Sequence, residues 1–92
     1  MSGGGSTTKV FQCPAHTWTN VLWMAGGFFT LTYRVSVPTG TKVLYRRYGS
    51  CIPPYMEGSF TTTDTFSLYP WEQYVRVDIR PSGDTPVTAT VS

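Results

Sequence analysis

Residues 31–49 read LTYRVSVPTGTKVLYRRYG, and this stretch decides the fold class. Apolar and polar side chains alternate before the Pro38-Thr39-Gly40 turn, and a second apolar–polar segment follows over residues 42–48. Such alternation is typical of an antiparallel strand with one buried and one solvated face. Proline fixes φ and glycine tolerates a positive φ, so the turn predicts a hairpin. We expect the odd-numbered side chains of residues 29–37 to face the core.

The last third of the chain repeats this pattern. Alternating segments cover residues 74–80 and 87–91, and the Ser82-Gly83-Asp84 turn separates them. A second hairpin is therefore predicted. The side chains expected to face the core are Val75, Val77, Ile79, Val87, Ala89 and Val91.

Shorter strands are predicted over residues 9–13, 18–24, 59–63 and 65–69. The segment 49–59 is predicted to be a loop, because its two adjacent prolines cannot donate to a strand ladder. No segment shows the apolar stripe of a helix.

Seven to eight short strands predict an all-β fold, a small antiparallel two-sheet sandwich of the Ig-like or jelly-roll kind. A small closed barrel is the alternative. Residues 1–8 are expected to form a flexible arm, and residues 9–92 a single domain.

Composition excludes some classes of function. Charged residues make up 13% of the 92 residues, and the formal net charge is +2. A dedicated nucleic-acid binder usually carries more, and more clustered, basic residues, so nucleic acid is an unlikely partner. No signal-peptide pattern and no apolar run of membrane-spanning length is visible. We therefore leave the localisation open, with a virion or an extracellular surface as candidates.

The chemistry-bearing residues do not form a catalytic motif. Cys13 and His16 have the spacing of half a zinc site, but a structural site needs four ligands. The five acidic residues show no spacing that predicts a carboxylate pair across a cleft. We expect no enzyme, no metal and no cofactor.

Cys13 and Cys51 permit one disulfide, which would stabilise the fold by about 4 kcal/mol in the loop-entropy model. Two free buried thiols are the alternative.

Two sets of residues are candidates for binding. Tyr55, Met56, Tyr69 and Trp71 lie in proline-stiffened segments, where large apolar side chains lose little entropy on binding. Alternatively, these segments, Trp71 above all, plug the open ends of the sandwich. The second set is a basic face, which also serves simple solubility if it binds nothing. Its members are Arg34, Arg46, Tyr74, Arg76 and Arg80, provided that their strands share one sheet.

These observations predict a non-enzymatic structural, assembly or adhesion module. Its partner is expected to be a protein or further copies of itself, as in the decoration and fibre proteins of virions; this is an analogy of fold and composition. One alternative is a carbohydrate-binding module that uses Tyr55, Tyr69 and Trp71. Another is a weak nucleic-acid-binding domain that uses the four arginines of the basic face.

Overall fold

The computed structural model describes residues 8–50 and 52–92, and eight β-strands form from them. The strands are β1 (Lys9–Cys13), β2 (Thr19–Ala25), β3 (Leu31–Ser36), β4 (Val43–Gly49), β5 (Ile52–Phe60), β6 (Thr63–Leu68), β7 (Tyr74–Pro81) and β8 (Val87–Val91). These described ranges contain no helix, and hence none long and apolar enough to cross a membrane. The predicted arm falls almost wholly on residues 1–7, outside the described part of the chain.

The strands form two four-stranded antiparallel sheets that pack face to face. One sheet has the order β1-β8-β3-β6, and the other has the order β2-β7-β4-β5. Strand β1 therefore pairs with β8, β2 with β7, β3 with β6 and β4 with β5, which is the pairing of a jelly roll. The predicted small two-sheet sandwich is confirmed. Of its two predicted kinds the strand order matches the jelly roll and not the Ig-like arrangement, and the closed-barrel alternative is wrong.

Both predicted hairpins are wrong. Strand β3 pairs with β6 and β8, whereas β4 pairs with β5 and β7 in the other sheet. The turn between them does form: Gly40 has a φ of 84°, and the Thr41 N–H donates to the Pro38 carbonyl at 3.0 Å. It carries the chain across the sandwich instead of back along one sheet. Strands β7 and β8 likewise lie in different sheets, because alternation determines which face of a strand is buried but not which strand it pairs with.

The predicted loop over residues 49–59 is also wrong, since most of it forms strand β5. Strand β5 lies at the edge of its sheet and pairs only with β4. Proline is tolerated on an edge strand, where one side of the backbone needs no ladder partner. Tyr55 and Met56 therefore project from a strand and not from a loop.

The core lies between the sheets, and β7 and β8 contribute the side chains to it that were predicted. All six of their expected core side chains are buried: Val75, Val77, Ile79, Val87, Ala89 and Val91. In the segment 29–37 the expectation holds for Val35 and Val37 but fails for Phe29, which is 78% exposed. Leu31 and Tyr33 remain partly exposed because β8 pairs with β3 only at Val35 and Ser36. The start of β3 therefore borders a cleft of about 750 Å³ between the sheets.

Candidate functional site

Two loops meet at one end of the sandwich and expose aromatic side chains there. The β2–β3 loop touches the β6–β7 loop, because the Gly26 N–H donates to the Gln73 carbonyl at 2.7 Å. An added Cβ at Gly26 would lie 3.0 Å from the Glu72 carbonyl oxygen, so the contact favours glycine. We call the exposed group the aromatic end. Its members are Phe28, Phe29, Tyr69 and Trp71, which are 93%, 78%, 42% and 73% exposed.

Tyr69 and Trp71 form a stacked pair at this end. Their ring centroids lie 4.9 Å apart, and their planes differ by 4°. With Trp71 this exposed, the alternative in which its ring plugs the sandwich is wrong. A parallel pair that keeps one broad ring face in solvent is a rigid apolar platform, suited to a ligand or a partner surface.

An ion pair between a half-buried arginine and a buried carboxylate fixes the turn that presents this platform. The Glu72 Oε1 atom accepts a hydrogen bond from the Tyr69 N–H at 2.9 Å, and Glu72 is 7% exposed. Its Oε2 atom lies 3.6 Å from Nη2 of Arg47. The same Nη2 donates to the Ser67 carbonyl of the opposite sheet at 3.1 Å. Arg47 therefore reaches across the sandwich and joins both sheets to the aromatic end.

The outer face of the β2-β7-β4-β5 sheet carries a second cluster, which we call the arginine–aromatic face. Its members are Trp18, Trp23, Arg46, Tyr48, Tyr55, Tyr74, Arg76 and Arg80.

Ring contacts run across all four strands of this face. Trp23 stacks on Tyr74 with centroids 5.1 Å apart, and Tyr48 contacts Tyr55 at 5.4 Å. The Arg76 guanidinium lies over the Tyr48 ring, 5.0 Å from its centroid. These contacts link the four neighbouring strands into one continuous surface.

Arg46 sits between two rings of the same face. Its guanidinium carbon lies 4.3 Å from the Trp18 centroid and 4.7 Å from that of Tyr55. Its Nε atom donates to Glu57 at 3.1 Å. Cations over aromatic faces are favourable, so the arrangement holds the rings in place.

Asp78 anchors the centre of the face. It is 4% exposed and accepts hydrogen bonds from Arg76 Nε at 3.1 Å and Nη2 at 2.9 Å. The Asn20 amide also donates to it, at 3.1 Å. The hydrogen bonds to Asp78 raise the pKa of the Arg76 guanidinium, so this cation is permanent.

The predicted basic face is only partly assembled. Arg46, Arg76 and Arg80 share the outer face with Tyr74. The prediction is wrong for Arg34, which lies on β3 in the other sheet. The adjacent Arg46 and Arg47 point to opposite faces, as expected from the pleat. Met56 is 53% exposed on edge strand β5 and lies outside both clusters.

Cys13 is buried, and burial raises the pKa of its thiol while a hydrogen bond with Thr19 lowers it. Cys51 lies outside the described residues, so the disulfide remains a prediction. The His16 Nε2 atom lies 2.7 Å from Oδ1 of Asp84, an exposed contact between two loops. Within the described ranges, no three His, Cys, Asp or Glu residues come together as a metal site would require.

Sequence reasoning missed the two most exposed aromatics, Phe28 and Phe29. Their signal is the Gly26-Gly27 pair directly before them, which ends the strand pattern and leaves both phenylalanines in a loop. It also missed the outward direction of Trp23. A register shift between Asn20 and Leu22 turns Leu22 and Met24 inward, and Trp23 therefore faces solvent.

No protein-family model and no curated protein sequence matches the chain. Among solved structures, the chain is similar to a de novo designed double-stranded β-helix determined by solution NMR. The TM-score is 0.63 at 10% sequence identity, over 94% of this chain and 96% of that one. At this identity the likeness bears on the fold alone, and it agrees with the observed strand order.

Proposed function

We propose that this protein is a non-enzymatic assembly or adhesion module, of the kind that decorates virions or builds fibres, and that it docks through its aromatic end. The observation that supports this most is the exposure of Phe28 and Phe29, at 93% and 78%, beside the stacked Tyr69 and Trp71. Isolated apolar side chains on a surface are ordinary, but four exposed aromatic rings on two loops that are hydrogen-bonded to each other favour an interaction site.

The energetics favour a protein partner. Complete burial of a phenylalanine side chain contributes about 1.5–3 kcal/mol, and tryptophan and tyrosine are common among the residues that dominate protein interfaces. The two loops are tied together by the Gly26–Gln73 hydrogen bond and by Glu72, so little order has to be created on binding. In their described residues, the loops at this end carry no lysine or arginine that would attract an anionic membrane surface.

Further copies of the chain are the partner to test first, because a net charge of +2 gives little repulsion between them. Sedimentation velocity over a concentration series is expected to show reversible association of the wild-type chain. The double variant Phe28→Ser/Phe29→Ser is expected to raise the dissociation constant by at least about thirtyfold, which is the effect of losing one buried anchor residue worth about 2 kcal/mol. Both side chains are exposed, so folding is expected to be unaffected.

Val10→Ser is the matched control, because Val10 is 60% exposed but lies on β1 and not in the end loops. It is expected to associate like the wild type. A wild-type chain that stays monomeric throughout the series, or a double variant that associates as well as Val10→Ser does, would contradict docking between copies.

A carbohydrate-binding module remains the second candidate, on the strength of the flat Tyr69–Trp71 platform. Tyr55, its third predicted member, lies away from this platform under Arg46. A glycan array with the Trp71→Ala variant separates the two candidates. Sugar binding on this platform would be lost in Trp71→Ala and retained in Phe28→Ser, whereas docking on protein would be weakened by both changes. Polysaccharide binding that survives Trp71→Ala would remove the platform from consideration.

A further inference from the structure

We propose that the arginine–aromatic face binds single-stranded nucleic acid, with bases stacked on its rings and phosphates held by its cations. This site is separate from the aromatic end and does not depend on docking there. It also differs from the four-arginine face predicted from the sequence, because Arg34 lies on the opposite sheet and the rings now form part of the site.

Charge is the first argument. This face carries three arginines, and strand alternation directs Lys42, the residue directly before β4, to the same side. These four basic residues stand against two acidic ones, Glu57 and Asp78. The remaining three basic and three acidic residues of the chain cancel. The whole formal charge of +2 is therefore concentrated on one side of the molecule, which is the electrostatic footprint of a polyanion site.

The rings are the second argument. Trp23 is 59% exposed and rests on Tyr74 with centroids 5.1 Å apart, so its outer side is open to a base. Tyr48 and Tyr55 add rings on the two neighbouring strands. Bases of single strands stack on such aromatic platforms with little dependence on sequence, and a four-stranded sheet with outward aromatics is an established platform for unpaired bases.

The cations remain available to phosphate. Arg80 is half-buried and forms no ion pair within the described residues, so no neighbouring carboxylate neutralises its charge. Arg76 is 46% exposed despite its pairing with Asp78. The Arg46–Glu57 pair is solvent-accessible, with side-chain exposures of 30% and 58%, and such pairs contribute so little free energy that a phosphate competes with the carboxylate.

An acidic protein segment is less well matched to this face, because it would use the cations but leave the exposed side of the Trp23 ring uncovered. Duplex DNA is also poorly matched, since its bases are already stacked on each other and hidden from the sheet. The combination of rings and cations therefore favours an unpaired strand.

The test is fluorescence anisotropy with a labelled oligothymidylate of about 12 nucleotides, at two salt concentrations. If three phosphates are contacted, affinity should fall about twentyfold between about 50 mM and about 200 mM sodium chloride. Trp23→Ala should weaken binding about tenfold through lost stacking. Arg80→Ala should weaken it and reduce the magnitude of the log–log salt slope by about 0.7, the contribution of one phosphate of a single strand.

Two controls match these variants: Trp71→Ala removes an exposed tryptophan from the other cluster, and Arg34→Ala removes an exposed arginine from the other sheet. Both are expected to bind like the wild type, and a circular dichroism melt verifies that each variant is folded. The proposal is overturned by an absence of binding at low salt, by equal affinity for a duplex or for polyglutamate, or by a folded Trp23→Ala variant of unchanged affinity.

Discussion

Replacing Arg47 by methionine is expected to lower the free energy of unfolding by about 3 kcal/mol, because it leaves the buried Glu72 carboxylate without its cation. Glu72 is only 7% exposed, and a buried charge left unpaired costs more than the pair contributes. The substitution also removes the hydrogen bond from Arg47 to the Ser67 carbonyl. For a domain of this size, the melting temperature should fall by about 15 °C. Urea denaturation followed by circular dichroism measures the change in free energy.

The double variant Arg47→Met/Glu72→Gln tests the cause. Glutamine keeps a carbonyl oxygen that can accept the Tyr69 N–H but carries no charge. About 2 kcal/mol of the loss should therefore return. A double variant as unstable as Arg47→Met alone would show that the unpaired Glu72 charge does not cause the loss of stability. An Arg47→Met variant within about 0.5 kcal/mol of the wild type would show that the ion pair does not contribute to stability.

The Leu68→Ala variant is expected to lose about 3 kcal/mol of unfolding free energy. Leu68 is fully buried at the end of β6, directly before Tyr69, and truncation leaves a cavity between the sheets. Since domains of this size are stabilised by only about 5–15 kcal/mol, the loss is a large fraction of the total. Urea denaturation at constant temperature is again the measurement.

Leu31 provides a matched control for this substitution. It lies directly opposite Leu68 in the β3–β6 register, but it is 36% exposed because it borders the cleft. Leu31→Ala should therefore cost about 1 kcal/mol, roughly the transfer free energy of the buried part of the side chain. Equal losses at the two positions would contradict the description of the cleft as open.

The sequence was informative where one local pattern determines the outcome. The alternation of Val75, Val77 and Ile79 predicted which face of β7 is buried, because a central strand has only one way to place those side chains in a dry core. The same alternation could not predict which strands pair with each other. The turn at Gly40 is compatible with a return along the same sheet and with a crossing to the other one, and only contacts between distant strands decide between them.

The candidate site was predictable only in part, for the same reason. Tyr69 and Trp71 were identified because prolines and large rings stand together in the sequence. The cluster formed by Trp23, Tyr48 and Arg76 requires β2, β4 and β7 to be neighbours in one sheet. Nothing in the local sequence specifies that neighbourhood, because these strands are brought together by the winding of the jelly roll.

Docking through the aromatic end is the central claim, and the most direct test is a concentration series of amide NMR spectra. The amide signals of residues 26–30 and 69–73 are expected to shift progressively as the protein concentration rises. Those around Arg34, on the outer face of the β1-β8-β3-β6 sheet, are expected to stay fixed. If the signals of those two loops do not move, or if the shifts occur only on the arginine–aromatic face, the aromatic end is not where copies of this chain dock.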